Sequence, residues 1–381
     1  MRSMRVGRMA RLALATCLAM VLAVMVLAGC AQQTNGAGGE AAAAGDETTV
    51  TVTDLRGRMV EIPENPQRIV GIGCALRPIC YLQAADRVVG VEASEHEDSV
   101  LCAYRHVYHD LFSSLPVVGE GGSGGVTPNE EALVAAAPQV IIADSMEADA
   151  ADALQQKTGI PVVCLDQPET VFDQHYYDNI VFLGEVLGVQ QRAQEVVDYL
   201  KDVEADLAKR AASAADAGAV SAYAAGISYR GGHGFDGTEA NFPPFVSCDV
   251  TNVADGQGAD GPFTIDLEAV SVAQPDCVFI ESSNLSLVQE GYANNPQYFD
   301  SLNAVQQGNT YTLISYRFYS TNVELALANC YQVGSVMYPD AFADVDATEK
   351  LDEISEFFLG APLSDDLAAE GCEFKQVDIT R

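Results

Sequence analysis

The sequence predicts an α/β protein of two Rossmann-like lobes, each on a mostly parallel sheet, joined by one long α-helix. Three observations carry this. Short, wholly apolar strands alternate with helical segments on both sides of the chain's middle, the pattern of parallel sheets covered on both faces. Residues 190–210 contain neither Gly nor Pro, and Val196, Val197, Leu200, Val203 and Leu207 fall at helical spacing. Finally, Glu131-Ala-Leu-Val-Ala-Ala-Ala-Pro138-Gln-Val-Ile-Ile-Ala is echoed by Glu268-Ala-Val-Ser-Val-Ala-Gln-Pro275-Asp-Cys-Val-Phe-Ile on the other side of that helix. In each copy a Glu lies seven residues before a Pro that ends a helix and opens a buried strand.

The chain opens with Arg2, Arg5, Arg8 and Arg11, an apolar run over 12–27, and Ala28-Gly29-Cys30. A basic region, a short apolar run and a small-residue cleavage site make a secretory leader over 1–29. The run falls short of the about 20 apolar residues a membrane span needs. A cysteine directly after the small pair resembles a bacterial lipobox, which implies acylation of Cys30, a mature protein outside the cytoplasmic membrane, and a lipid anchor to it. Residues 30–47 then form a flexible linker of Ala, Gly, Gln and Asn.

The first lobe is expected over 48–173. Val50-Thr-Val-Thr and Met59-Val-Glu-Ile pair as a hairpin around Gly57. Strands follow at 68–73, 87–91, 115–119, 140–143 and 161–165, with a helix at about 77–84. A second helix has Thr127 as N-cap and Pro128 at its first position. The connecting region spans 174–217. The second lobe spans 218–346, with strands at 220–226, 276–281 and 310–314, and a C-terminal helix and tail occupy 347–381.

Without residues 1–29 the chain holds 16 basic and 54 acidic residues, a net charge of −38. That surface repels nucleic acid and anionic headgroups. Eight cysteines remain after Cys17 leaves with the leader and Cys30 takes lipid. An even number outside the cytoplasm permits disulfides of undetermined pairing. Cys164 and Cys277, inside apolar strands, read as core. No Cys-x-x-Cys occurs, which removes support for a zinc knuckle or redox motif.

Thr51-Val-Thr-Asp-Leu-Arg-Gly-Arg-Met-Val-Glu-Ile-Pro, Pro66-Gln-Arg-Ile-Val and Ala84-Ala-Asp-Arg-Val-Val-Gly-Val resemble the opening of the iron-complex and vitamin B12 periplasmic binding proteins. Asn329-Cys-Tyr-Gln-Val-Gly-Ser-Val-Met-Tyr-Pro and Asp344-Val-Asp resemble the end of the same domain. The resemblance runs from about residue 48 to 381. It implies a monomeric, non-catalytic receptor of an ABC importer that holds a metal chelate (an iron–siderophore, haem or corrinoid) between its lobes. The partners it implies are a membrane permease and a cytoplasmic ATPase. It also implies that Glu131 and Glu268 meet arginines of that permease. Read without it, they are first-turn glutamates favoured by the helix dipole. No intrinsic cofactor is expected.

Ligands of open parallel sheets sit beyond the carboxyl ends of the strands. That rule selects Arg77, residues 92–96 including His96, the glycine run 119–125 and residues 144–147 in the first lobe. In the second it selects 228–234, 282–284 and 315–319. Tyr229, Arg230 and His233 combine stacking, carboxylate pairing and metal ligation on a glycine-flexible loop. Arg317 and Tyr319 repeat the mixture. The ligand set is therefore Arg77, His96, Tyr229, Arg230, His233, Arg317 and Tyr319, with His233 as the metal ligand. His96, His106 and His109 could mimic a metal cluster, but they read better as parts of a solvated helix. Two other functions compete: an oxyanion receptor (molybdate or tungstate) of the same fold, and a serine hydrolase using Gly121-Gly-Ser-Gly-Gly125. The hydrolase needs its helix to start at Ser123, four residues before the helix signal at Thr127.

Overall fold

The computed structural model describes residues 48–122, 125–166, 170–214, 220–258 and 260–380. Cys30, the leader, the linker and Ser123 lie outside the described residues. Strands β1 (Thr49–Thr53) and β2 (Met59–Pro63) pair antiparallel. Their turn is fixed by Gly57 at φ 76° and by Asp54, which accepts from Arg56 N and Arg58 N. Asp54 also accepts from Cys164 N, and Arg58 donates to Val162 O. The hairpin thereby covers the free edge of the first lobe's sheet.

That sheet runs in the order β6-β5-β4-β3-β7-β8. Its members are β3 (Ile69–Ile72), β4 (Val88–Glu92), β5 (Val117–Glu120), β6 (Thr127–Pro128), β7 (Val140–Ala143) and β8 (Val162–Cys164). All pairs are parallel except β5–β6. The second lobe has β9 (Ser221–Ala225), β11 (Thr251–Asn252), β13 (Cys277–Glu281) and β14 (Thr310–Leu313), all parallel in the order β11-β9-β13-β14. The tail returns along β14 through an antiparallel Tyr311–Gln376 bridge. A separate two-stranded antiparallel sheet joins β10 (Gly237–Ala240) and β12 (Gly261–Thr264).

The Gln190–Ser213 helix has 24 residues, about 36 Å at 1.5 Å per residue. It buries Ala193, Val196, Val197, Leu200, Val203, Leu207 and Ala211, and each buried Val or Leu contributes about 1.5–3 kcal/mol. The rod does not act alone. The Ala347–Leu359 helix packs against it, with Tyr199 and Phe357 rings stacked 4.0 Å apart and Arg192 Nη2 donating to Phe357 O. The same helix puts Phe358 4.8 Å from Tyr81 of the first lobe. One apolar core consequently runs through both lobes.

One expected start is corrected. Thr127 and Pro128 form β6, and the N-cap is Asn129, whose side chain accepts from Ala132 N before the Glu130–Ala136 helix. Thr127 and Pro128 pair with β5, so sheet pairing outweighs the capping preference. The echo is reproduced in detail. Asp266 caps the Leu267–Ala273 helix, and both helices end on left-handed residues, Ala137 and Gln274 at φ 49°, just before the prolines. Proline bars its predecessor from continuing the helix.

Candidate functional site

The carboxyl ends of both parallel sheets meet at one seam. In the first lobe, Gly73 turns away from β3 at φ 67°, and a Cβ there would lie 2.8 Å from Asp144 O. Its N–H donates to Glu92 Oε2 at 2.9 Å. Glu92 ends β4, is fully buried, and has no partner for Oε1 among the described residues. Gly121 passes so close that a Cβ would lie 2.7 Å from Glu92 Oε2 and 2.6 Å from Ser94 Oγ. Glycine is needed there to let backbone pass over a carboxylate. Burial pushes the Glu92 carboxyl up to about 7, and Glu95 adds to the rise, against the Gly73 N–H, Tyr319 and Arg105.

The second lobe repeats this device. Glu281 ends β13, is buried, and accepts from Ser228 N at 2.8 Å and Ser315 Oγ at 2.9 Å. Its Oε1 also has no partner among the described residues, and burial raises its pKa. Asn284 holds the loop after β9 by donating to Gly226 O and Ser228 Oγ.

Residues 316–322 cross the seam. Asn322 folds them back, donating from Nδ2 to Tyr316 O and Phe318 O. The Tyr319 hydroxyl accepts from Gly122 N at 3.0 Å, 3.2 Å from Gly73 O and 3.4 Å from Glu92 Oε2. The Arg105 guanidinium lies over its ring, 4.8 Å from the centroid. Arg77 Nη2 donates to Tyr319 O at 2.5 Å and to Phe318 O at 3.3 Å. A second tie joins Tyr81 Oη to Glu324, the second residue of the Val323–Met337 helix. Beside these contacts lies a cavity of about 60 Å³. Arg77, Asp144, Tyr176, Asn179 and Thr321 are among its lining residues. Arg77 Nε and Tyr176 Oη are buried without partners among the described residues.

Residues 81–316 match the family model described as periplasmic binding protein, well over half of the chain. The chain belongs to that family. A similar protein is the uncharacterised ABC transporter substrate-binding lipoprotein YvrC of Bacillus subtilis (strain 168), 25% identical over 197 residues, 51% of this chain and 57% of that one. The match thus spans little more than half of that relative's length. In structure the chain is similar to a periplasmic solute binding protein from Veillonella parvula DSM 2008, with TM-score 0.67, 20% identity, and 85% and 97% of the two chains covered. It is also similar to the molybdate periplasmic binding protein MolA of Haemophilus influenzae, with TM-score 0.61, 18% identity, and 82% and 98% covered. The two parallel sheets joined by a long helix are the class III arrangement of periplasmic binding proteins.

On this periplasmic binding protein scaffold the sequence-selected residues fall into distinct groups. Arg77 and Tyr319 meet, but they bind each other across the seam. Tyr229 and His233 stack at 3.9 Å, and His233 Nε2 lies 2.9 Å from Tyr229 O, so the imidazole is turned onto its own loop. Arg230, at φ 51°, is exposed. Arg317 is held by Glu239 in a two-pronged ion pair, with Nε 2.9 Å from Oε2 and Nη2 on Oε1. His96 contacts Leu115 O and His109 within the first lobe. His106 is shared by Asp98 and Asp366. No group of three or more His, Cys, Asp or Glu that could hold a metal occurs among the described residues. Glu131 and Glu268 are both exposed at the second position of their short helices. Glu239 and Glu281 were not selected from the sequence, and Glu92 entered only as the first residue of the 92–96 loop. Two of the three had a signal, a carboxylate closing an otherwise apolar strand.

Proposed function

We propose that this chain is the lipid-anchored, extracytoplasmic receptor of an ABC importer and that it captures an iron or cobalt chelate in the cleft between its lobes. Family membership supports the receptor role. The observation that carries the cleft is the convergence of the loops after β3, β4 and β5 on the loop after β14. Chelate capture is supported by the second lobe's rim. There Phe318 and Leu287 are 39% and 38% exposed, Leu287 lies beside Gly232 of the 228–234 loop, and that loop carries the exposed Arg230, so apolar surface and a cation are offered to a bulky anionic ligand. Glu131 and Glu268, exposed on matching helices of the two lobes, would face the permease, and its cytoplasmic ATPase would power release.

Titration of the purified protein with hemin, vitamin B12 and a ferric hydroxamate tests this. The chain has 15 Tyr and no Trp, so quenching of tyrosine emission reports binding directly. Saturable binding of one chelate at about 1 μM or tighter is expected. Molybdate binding with no chelate binding would replace the reading by the oxyanion alternative. One observation favours that second reading: the small cavity of about 60 Å³ is lined by Arg77, whose Nε is buried without a partner among the described residues, and it suits an ion rather than a chelate.

A further inference from the structure

The contacts that close the seam are of an exchangeable kind. A phenol oxygen takes the Gly122 N–H, and two peptide carbonyls take the Arg77 guanidinium. The phenol's own proton is offered to Gly73 O or Glu92. Each group is what an oxygen-rich ligand would present to the same donors and acceptors. The segment is also held against its backbone preference. Tyr319 at φ 51° and Ser320 at φ 66° are consecutive left-handed residues, neither of them glycine, a conformation that persists only while surrounding contacts enforce it. Phe318, between the two lobes' contacts, is left 39% exposed rather than packed.

We propose that residues 318–320 are a self-ligating latch, whose phenol and carbonyls hold the first lobe's donors until a ligand replaces them. This rests on the reading of the cleft as the ligand site and adds its mode of entry. Ligand oxygens take over the Arg77 guanidinium and Gly122 N–H, and the freed segment relaxes to ordinary backbone angles. Arg77 and Tyr319 are then alternately bound to each other and to the guest.

Amide hydrogen exchange of the mature protein tests this without any chelate. In Tyr319→Ala, exchange in the peptide covering 117–122 should accelerate about tenfold, with β13 unchanged. Adding p-cresol, a tyrosine side chain in solution, should slow it again. Tyr319→Phe, which keeps the ring, should give a smaller rise in the same peptide. Wild-type exchange at 117–122 in both variants overturns the latch. So does a Tyr319→Ala protein with fast exchange that p-cresol does not slow, because its pocket then refuses an outside phenol. If Tyr319→Ala loses β13 protection too, the Tyr319→Phe result alone decides. Hemin, B12 and hydroxamate titration of the wild type judges the chelate reading separately, so the two can fail independently.

Discussion

Glu92 shows how one residue can set a pH dependence for the whole protein. Its folded pKa, about 7, stands above the ordinary 4.5 because burial disfavours the charged carboxylate. A raised acid binds its proton more tightly when folded. Its contribution to stability is therefore fully present below pH 4.5 and is lost as pH rises through about 7. Glu239, Glu281, Glu324 and Asp144 are raised in the same direction by burial. The melting temperature should fall between pH 4.5 and 7.5, and Glu92→Gln, neutral throughout, should flatten part of that fall. Thermal melts followed by circular dichroism at several pH values measure it. A Glu92→Gln slope equal to the wild type would mean that the carboxylate is already charged at low pH. Sequence reading found the loops of this seam because strand ends in parallel sheets are where ligands gather. The roles of their side chains are not legible there, because an arginine reads alike whether its partner is a guest or a carboxylate such as Glu239. Pairing at a distance of 78 residues leaves no mark on local pattern.

The two echoed helices show what an element's ends contribute. Asn129 and Asp266 each accept a backbone N–H in the first turn, and both helices have only seven residues. A helix that short has no stability of its own. Asn129→Ala and Asp266→Ala should each cost about 1 kcal/mol in urea unfolding at constant m-value. Losses below a few tenths would show that tertiary packing alone holds these helices. Elements were legible where apolar runs were bounded by Pro or Gly, as at β7, β8 and β13. The boundary at Thr127 was not, since a two-residue strand carries no period and Thr-Pro is an equally good helix start. The hairpin cap over β8 was half legible: Gly57 marked the turn, but Asp54's acceptance from Cys164 N spans 110 residues.

At the scale of the molecule, the long helix was legible from its uninterrupted period and the C-terminal helix was expected within 347–381, but the packing of one on the other was not legible. The Ala347–Leu359 helix touches Tyr81 of the first lobe, Tyr199 of the rod and, through its neighbour, the second lobe's core. Two lobes joined only by a rod would unfold separately. Here a single apolar cluster runs from Val60 to Cys372, so calorimetry should show one cooperative transition for the folded unit. Phe358 is fully buried at the meeting point of these elements. Phe358→Ala should cost about 3–5 kcal/mol and should weaken coupling between the lobes more than an equal loss within one sheet, such as Phe279→Ala. The difference is readable as broadening or splitting of the transition in the first variant and a simple downward shift in the second. Two separate transitions in the wild-type protein would mean that the shared core does not couple the lobes. The ties left between the lobes would then be the latch, with a phenol contact at about 0.5–1.5 kcal/mol and two carbonyl contacts to a guanidinium at about 1.5–3 kcal/mol each, and the Tyr81–Glu324 contact, too few to make the lobes melt as one.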